Sequence, residues 1–67
     1  MIVYFLKRQD GTYRIDAWDD HVQYTDKLTL ARSFCGELGA RCRQREDEKV
    51  IKMTIQKDDS YQMETLP

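Results

Sequence analysis

Arginine stands at every second position in Arg41-Cys42-Arg43-Gln44-Arg45, with Lys52 further along the chain. On a strand, that spacing sets three guanidinium groups on one face, about 7 Å apart. Such a row could follow a phosphate backbone or pair with carboxylates. A solvated sheet face, partly neutralised by Glu46, Asp47 and Glu48, has the same pattern, and the residues leave both readings open. The only histidine, His21, follows Asp19-Asp20. Neighbours alternate sides in an extended segment, so these three do not converge on one ion, and a polar loop accounts for them. Cys35 and Cys42 fit no zinc ribbon or finger spacing. Both fall on expected apolar faces, as buried free thiols. Asp47-Glu48-Lys49 has the acidic-x-Lys form of some nuclease sites but sits in an expected turn. The sequence has no Gly-rich phosphate loop, Ser-centred elbow or Cys/His pair at working spacing. These residues argue against an enzyme, and they imply no metal and no cofactor.

The elements that must position these groups read as one α+β domain over residues 1–67. Ile2–Lys7 is dense in β-branched and aromatic residues and predicts a strand. Asp10-Gly11 predicts a two-residue type I′ turn into a second strand, Tyr13–Trp18. That loop sets Leu6 opposite Ile15 and Tyr4 opposite Ala17, leaving Val3, Phe5 and Trp18 on the other face beside Lys7, Arg14 and Asp16. His21–Tyr24 suits a short extension or third strand. Thr25 or Asp26 can cap a helix whose apolar stripe is Leu28, Ala31, Phe34, Cys35 and Leu38, with Leu30 more loosely aligned. Gly39 is placed to end it. Beyond Gly39 the period alternates, which predicts a second hairpin around Glu46–Lys49, with Gln44 opposite Ile51, Cys42 opposite Met53 and Ala40 opposite Ile55. Tyr61–Leu66 suits an edge strand. The expected architecture is a small antiparallel sheet of four or five strands, in ββαββ(β) order, with one amphipathic helix packed on one face.

Size and charge narrow the function classes. A chain of 67 residues buries about 60 % of its surface on folding, too little for a doubly wound nucleotide-binding fold or a barrel of eight βα units. No apolar run approaches the ~18 residues that span a bilayer, so no membrane partner is expected. Two cysteines are too few for a secreted disulfide scaffold, and Met1–Leu6 is too short for a signal peptide. A cytoplasmic location follows as the expectation. The net charge of −1 conceals segregation. Residues 1–26 carry three basic against five acidic residues, residues 27–57 eight against four, and the rest only Asp58, Asp59 and Glu64. Near-neutral net charge argues against a nonspecific nucleic-acid binder, while a local basic stripe can still engage phosphate or an acidic protein surface.

Val3, Phe5 and Trp18 form a second candidate surface, because exposed aromatic clusters mark interfaces. If the sheet curls, Met63 and Leu66 cover them instead. Pairing through this face would make a homodimer, since a small domain gains core that way. The run Asp10-Gly11-Thr12-Tyr13, Trp18-Asp19-Asp20, Tyr24-Thr25-Asp26, Leu30-Ala31-Arg32 and Leu38-Gly39 resembles small proteins encoded by bacteriophages and other mobile elements. It covers about residues 1–45, and no functional residue carries over. What it implies is a class: proteins that bind and block a host protein or defence complex, such as restriction, CRISPR or transcription machinery. The expected function is therefore a non-enzymatic protein-binding module of inhibitor type, using Arg41, Arg43, Arg45, Lys52, Val3, Phe5 and Trp18. The alternatives are a nucleic-acid-binding domain built on the arginine hairpin, and a structural, oligomerising subunit.

Overall fold

The computed structural model describes residues 1–16 and 22–67. It is a five-stranded antiparallel sheet with one helix packed against it. Strand β1 is Ile2–Arg8, β2 Tyr13–Asp16 and β3 Val22–Thr25. A single 3₁₀ turn, Leu28–Leu30, precedes helix α1, Glu37–Arg43; β4, Glu48–Ile55, and β5, Tyr61–Leu66, follow. The order across the sheet is β3-β2-β1-β4-β5. The expectations for Ala17, Trp18, Asp19, Asp20 and His21 lie outside the described residues. Among the described residues, no helix is long and apolar enough to cross a membrane.

The first hairpin forms, one residue out of the expected register. Arg8 N–H donates to Thr12 O at 2.8 Å and Gly11 N–H to Arg8 O at 3.1 Å, which closes a three-residue loop over Gln9, Asp10 and Gly11. Gly11 takes φ 90°, the left-handed residue of that loop type. Lys7 consequently faces Tyr13. A one-residue slip exchanges the two faces, so Arg14 turns toward the helix side and Ile15 away from it. The β4–β5 hairpin repeats the device. Gln56 N–H donates to Ser60 O at 2.7 Å and Asp59 N–H to Gln56 O at 3.1 Å, with Asp59 at φ 69°. In each loop an aspartate accepts from the residue two further on. Asp10 Oδ1 takes Thr12 N–H at 3.0 Å and its hydroxyl at 2.6 Å; Asp58 Oδ1 takes Ser60 N–H at 3.1 Å and its hydroxyl at 2.6 Å. Those bonds, side chain first, hold both carboxyls below the usual carboxylate range.

The expected second hairpin does not form. β4 pairs with β1 along Ile2↔Thr54 to Arg8↔Glu48, and with β5 along Val50↔Leu66 to Ile55↔Tyr61. Ala40 and Cys42 lie on α1 rather than on a strand opposite Ile55 and Met53. The helix expected over Leu28–Leu38 is replaced by the 3₁₀ turn and an extended stretch. Thr29, Ser33 and Cys35 are weak helix formers, and extended backbone at Phe34 finds better partners. Tyr4 N–H donates to Phe34 O at 2.9 Å, Phe34 N–H to Tyr4 O at 2.8 Å, and Arg32 N–H to Arg14 O at 3.0 Å. Residues 32–34 thus fill the wedge where β1 and β2 diverge. Gly36 starts α1 in an extended conformation and Gly39 lies inside the helix.

The core lies between α1 and one sheet face. Leu6, Phe34, Ala40 and Val50 are buried there, with Tyr4 and Leu66 packed against them. Each large apolar side chain so buried contributes about 1.5–3 kcal/mol. On the opposite face, Phe5 and Ile51 are also buried. The described fold places Cys35 and Cys42 at the surface as free thiols, and leaves Leu38 78 % exposed. These residues belonged to the expected apolar faces, and moving the helix turned them outward.

The repeated loop predicts opposite responses at its two left-handed positions. Gly11→Ala is expected to destabilise by about 1 kcal/mol, because a Cβ disfavours positive φ. Asp59→Gly is expected to stabilise by about 0.5 kcal/mol. Urea unfolding of both variants checks this, and equal signs would refute the shared geometry.

Candidate functional site

The arginine row is not a row. Arg41 and Arg43 sit in the last turn of α1 and Arg45 follows it. Residues two apart on a helix point to different sides, whereas on a strand they would share one. Arg41 Nε donates to Glu37 Oε2 at 3.0 Å and its Nη2 to Pro67 O at 2.8 Å. Arg43 contributes its carbonyl oxygen to Arg14, and Arg45 contributes its backbone N–H to Glu48. Lys52 lies on β4 between Tyr4 and Glu64 as cross-strand neighbours. The structure therefore disperses the expected basic patch.

The Val3–Phe5 surface is also altered. Phe5 is 5 % exposed and Val3 half-buried, so neither is a free aromatic or aliphatic anchor. The Phe5 and Tyr13 rings meet edge to face at 6.2 Å, and Lys7 Nζ lies 5.5 Å from the Tyr13 centroid. Beside Phe5 the same face opens into a groove of about 500 Å³. Leu28, Ala31, Met53, Ile55 and Tyr61 supply apolar walls, and Asp59 adds a carboxylate. Tyr61 is 59 % and Met63 39 % exposed. By strand alternation both lie on the groove face, where Met63 pairs with Met53 and Tyr61 with Ile55. The 28–33 segment supplies the far wall because its passage between β1 and β2 carries it over this face.

Sequence reasoning missed a buried charge network on the helix side. Glu48 is 1 % exposed and Arg14 7 %. Arg14 Nη1 lies 3.3 Å from Glu48 Oε1 and also donates to the Arg43 carbonyl. The Tyr24 hydroxyl donates to Glu48 Oε2, Arg45 N–H donates to Glu48 Oε1 at 2.8 Å, and the Gln44 amide donates to Glu48 O at 2.8 Å. Above the network, the Arg8 guanidinium stacks 4.5 Å from the Tyr24 centroid and its Nε lies 3.1 Å from Asp47 Oδ2. Burial, then the hydrogen bond to Glu48, pushes the Tyr24 hydroxyl up to about 12. The network's members come from β2, β3, β4 and the end of α1, so no local spacing could announce it. The one available signal was the Asp-Gly-Thr loop, since a three-residue reading would have turned Arg14 inward. Among the described residues, no group of three or more His, Cys, Asp or Glu side chains is placed to hold a metal.

No protein-family model, curated protein or solved structure matches the chain.

Two predictions follow from the network. Glu48→Ala removes the buried carboxylate that faces the Arg14 charge and accepts from the Tyr24 hydroxyl and the Arg45 amide. The expected cost is about 3–5 kcal/mol, most of the stability of a domain this small. Loss or a large downward shift of the urea midpoint checks it. The Tyr24 shift also has a sign. A hydroxyl whose pKa is raised on folding adds stability below its unfolded value of 10.0, and that stability is lost as pH rises toward about 12. Spectrophotometric titration should show one tyrosine ionising late, and Tyr24→Phe should remove that step alone.

Proposed function

We propose that this protein is a non-catalytic protein-binding module whose groove takes an apolar side chain from an extended segment of its partner. The observation that carries this reading is the groove between the 28–33 segment and the β4–β5 end of the sheet, with Tyr61 and Met63 exposed beside it. Exposed aromatic and methionine side chains around a concave apolar surface suit partner recognition. Asp59 on the groove wall favours a basic residue next to the partner's anchor. The buried acid–base cluster of Arg14, Tyr24 and Glu48 is engaged in holding elements together, which leaves it little role in turnover. A blocking role toward a host protein or defence complex is the finer form of this reading. It rests on the resemblance to small phage and mobile-element proteins.

Partner capture by wild-type and variant proteins, with and without nuclease, tests the reading. Tyr61→Ala is expected to weaken capture of the same protein at least about tenfold. Asp59→Asn, which keeps the left-handed turn, should weaken it less and reduce its sensitivity to salt. Arg45→Ala should leave it intact. Capture lost on nuclease treatment, or lost in Arg45→Ala but kept in Tyr61→Ala, would move the assignment to nucleic acid and the basic side chains.

A further inference from the structure

Strand β5 is an outer strand whose second edge has no partner among the described residues. The hydrogen-bond phase of that edge follows from its neighbours. Ile55 exchanges bonds with Met1, donating to Met1 O at 2.7 Å and accepting from the Met1 amine at 3.1 Å, so Ile55 turns its backbone toward β1. Gln56 bonds Ser60 across the turn. Antiparallel pairs alternate in this respect. Gln62, Glu64 and Leu66 therefore direct their N–H and C=O groups to β4, while Tyr61, Met63 and Thr65 direct theirs outward.

We infer that β5 pairs antiparallel with β5 of a second copy, with Met63 on the two-fold axis. Three properties of the strand point to this occupant. First, the outward groups come in a self-complementary set: in this register Met63 exchanges both bonds with the second copy's Met63, and Tyr61 exchanges both with its Thr65. Secondly, the side chains agree with it. Gln62 stands across from Glu64 of the second copy in the closely spaced type of pair, where the amide can donate to the carboxylate. On the groove face, Met53 and Met63 continue into the same two residues of the other copy, giving an apolar row across the joint. A register centred on Glu64 would instead oppose like charges. Thirdly, the edge is lightly protected, with Glu64 its one charged residue and Pro67 beyond its end. It carries no lysine and no bulge, and its register with β4 is continuous. At the opposite edge of the sheet, β3 is followed directly by the charged pair Asp26-Lys27. Pro67 has no N–H, which limits the new ladder to residues 61–65.

An edge of five residues buries far less than the ~1,200–2,000 Å² of a tight interface, so association in the micromolar range is expected. The pairing uses the strand edge and leaves the groove open, and it does not depend on the partner reading above.

Sedimentation equilibrium from about 10 to about 300 μM tests it, because self-association is read against protomer concentration. Wild type is expected to move from monomer to dimer over that range. Gln62→Lys faces Glu64 of the other copy and should tighten the dimer by about threefold or more, whereas Gln62→Glu should loosen it similarly. Met63→Pro removes an outward N–H without touching the β4 ladder, and should give a folded monomer by circular dichroism. Wild type that stays monomeric would overturn the proposal. So would a dimer loosened by both Gln62 charges, or one indifferent to them.

Discussion

A carboxylate removed from water must be matched by donors, because an isolated buried charge costs several kcal/mol. Glu48 satisfies that demand with donors from three other parts of the chain: the Arg14 guanidinium of β2, the Tyr24 hydroxyl of β3 and the Arg45 amide after α1. Arg14 is itself matched by Glu48 and by the Arg43 carbonyl at the end of the helix. This is the constraint on which the arrangement of elements depends. β1 and β2 pair at the hairpin end, Lys7 to Tyr13, and then separate. The β2–β3 arm is tied to the remainder of the fold by the charge network, closed over by Arg8 on the Tyr24 ring, and by the backbone bond of Arg32 to Arg14.

The separation of β1 and β2 has a second consequence. It opens the wedge into which residues 32–34 insert, bonded to Tyr4 on one side and Arg14 on the other. The chain then carries Phe34 and α1 to the helix side, where Ala40 meets Leu6 and Val50. The residues before the wedge remain over the other face and wall the groove with Phe5, Met53 and Ile55. One passage of chain thus completes the core and shapes the concave apolar surface. A helix of seven residues has little stability of its own, so α1 depends on this placement.

Several elements were legible in the residues. Ile2–Lys7 reads as a strand from its β-branched and aromatic content, and Tyr61–Leu66 as an edge strand ended by proline. The α+β class with one helix on an antiparallel sheet was likewise accessible. The helix position was not. The stripe from Leu28 to Leu38 has helical period, yet its backbone at Phe34 bonds to Tyr4 thirty residues earlier in the chain. The alternation of Arg41, Arg43 and Arg45 matches a strand, yet the packing of Ala40 wraps the first two into a helix and sends their side chains apart.

What the sequence by itself determined is local: the first and last strands, the turn at Asp10-Gly11, and the segregation of charge along the chain. Asp10-Gly11-Thr12 and Asp58-Asp59-Ser60 specify their loops through bonds between residues two apart, which any chain with those residues can make. The tertiary structure decided which face each strand presents, which segment is helical, and that Arg14, Tyr24 and Glu48 meet. The physical reason is that one residue of hairpin register exchanges the two faces of β2. The direction of that choice is set by donors and acceptors on distant elements, whose bonds exist only when the whole sheet is assembled.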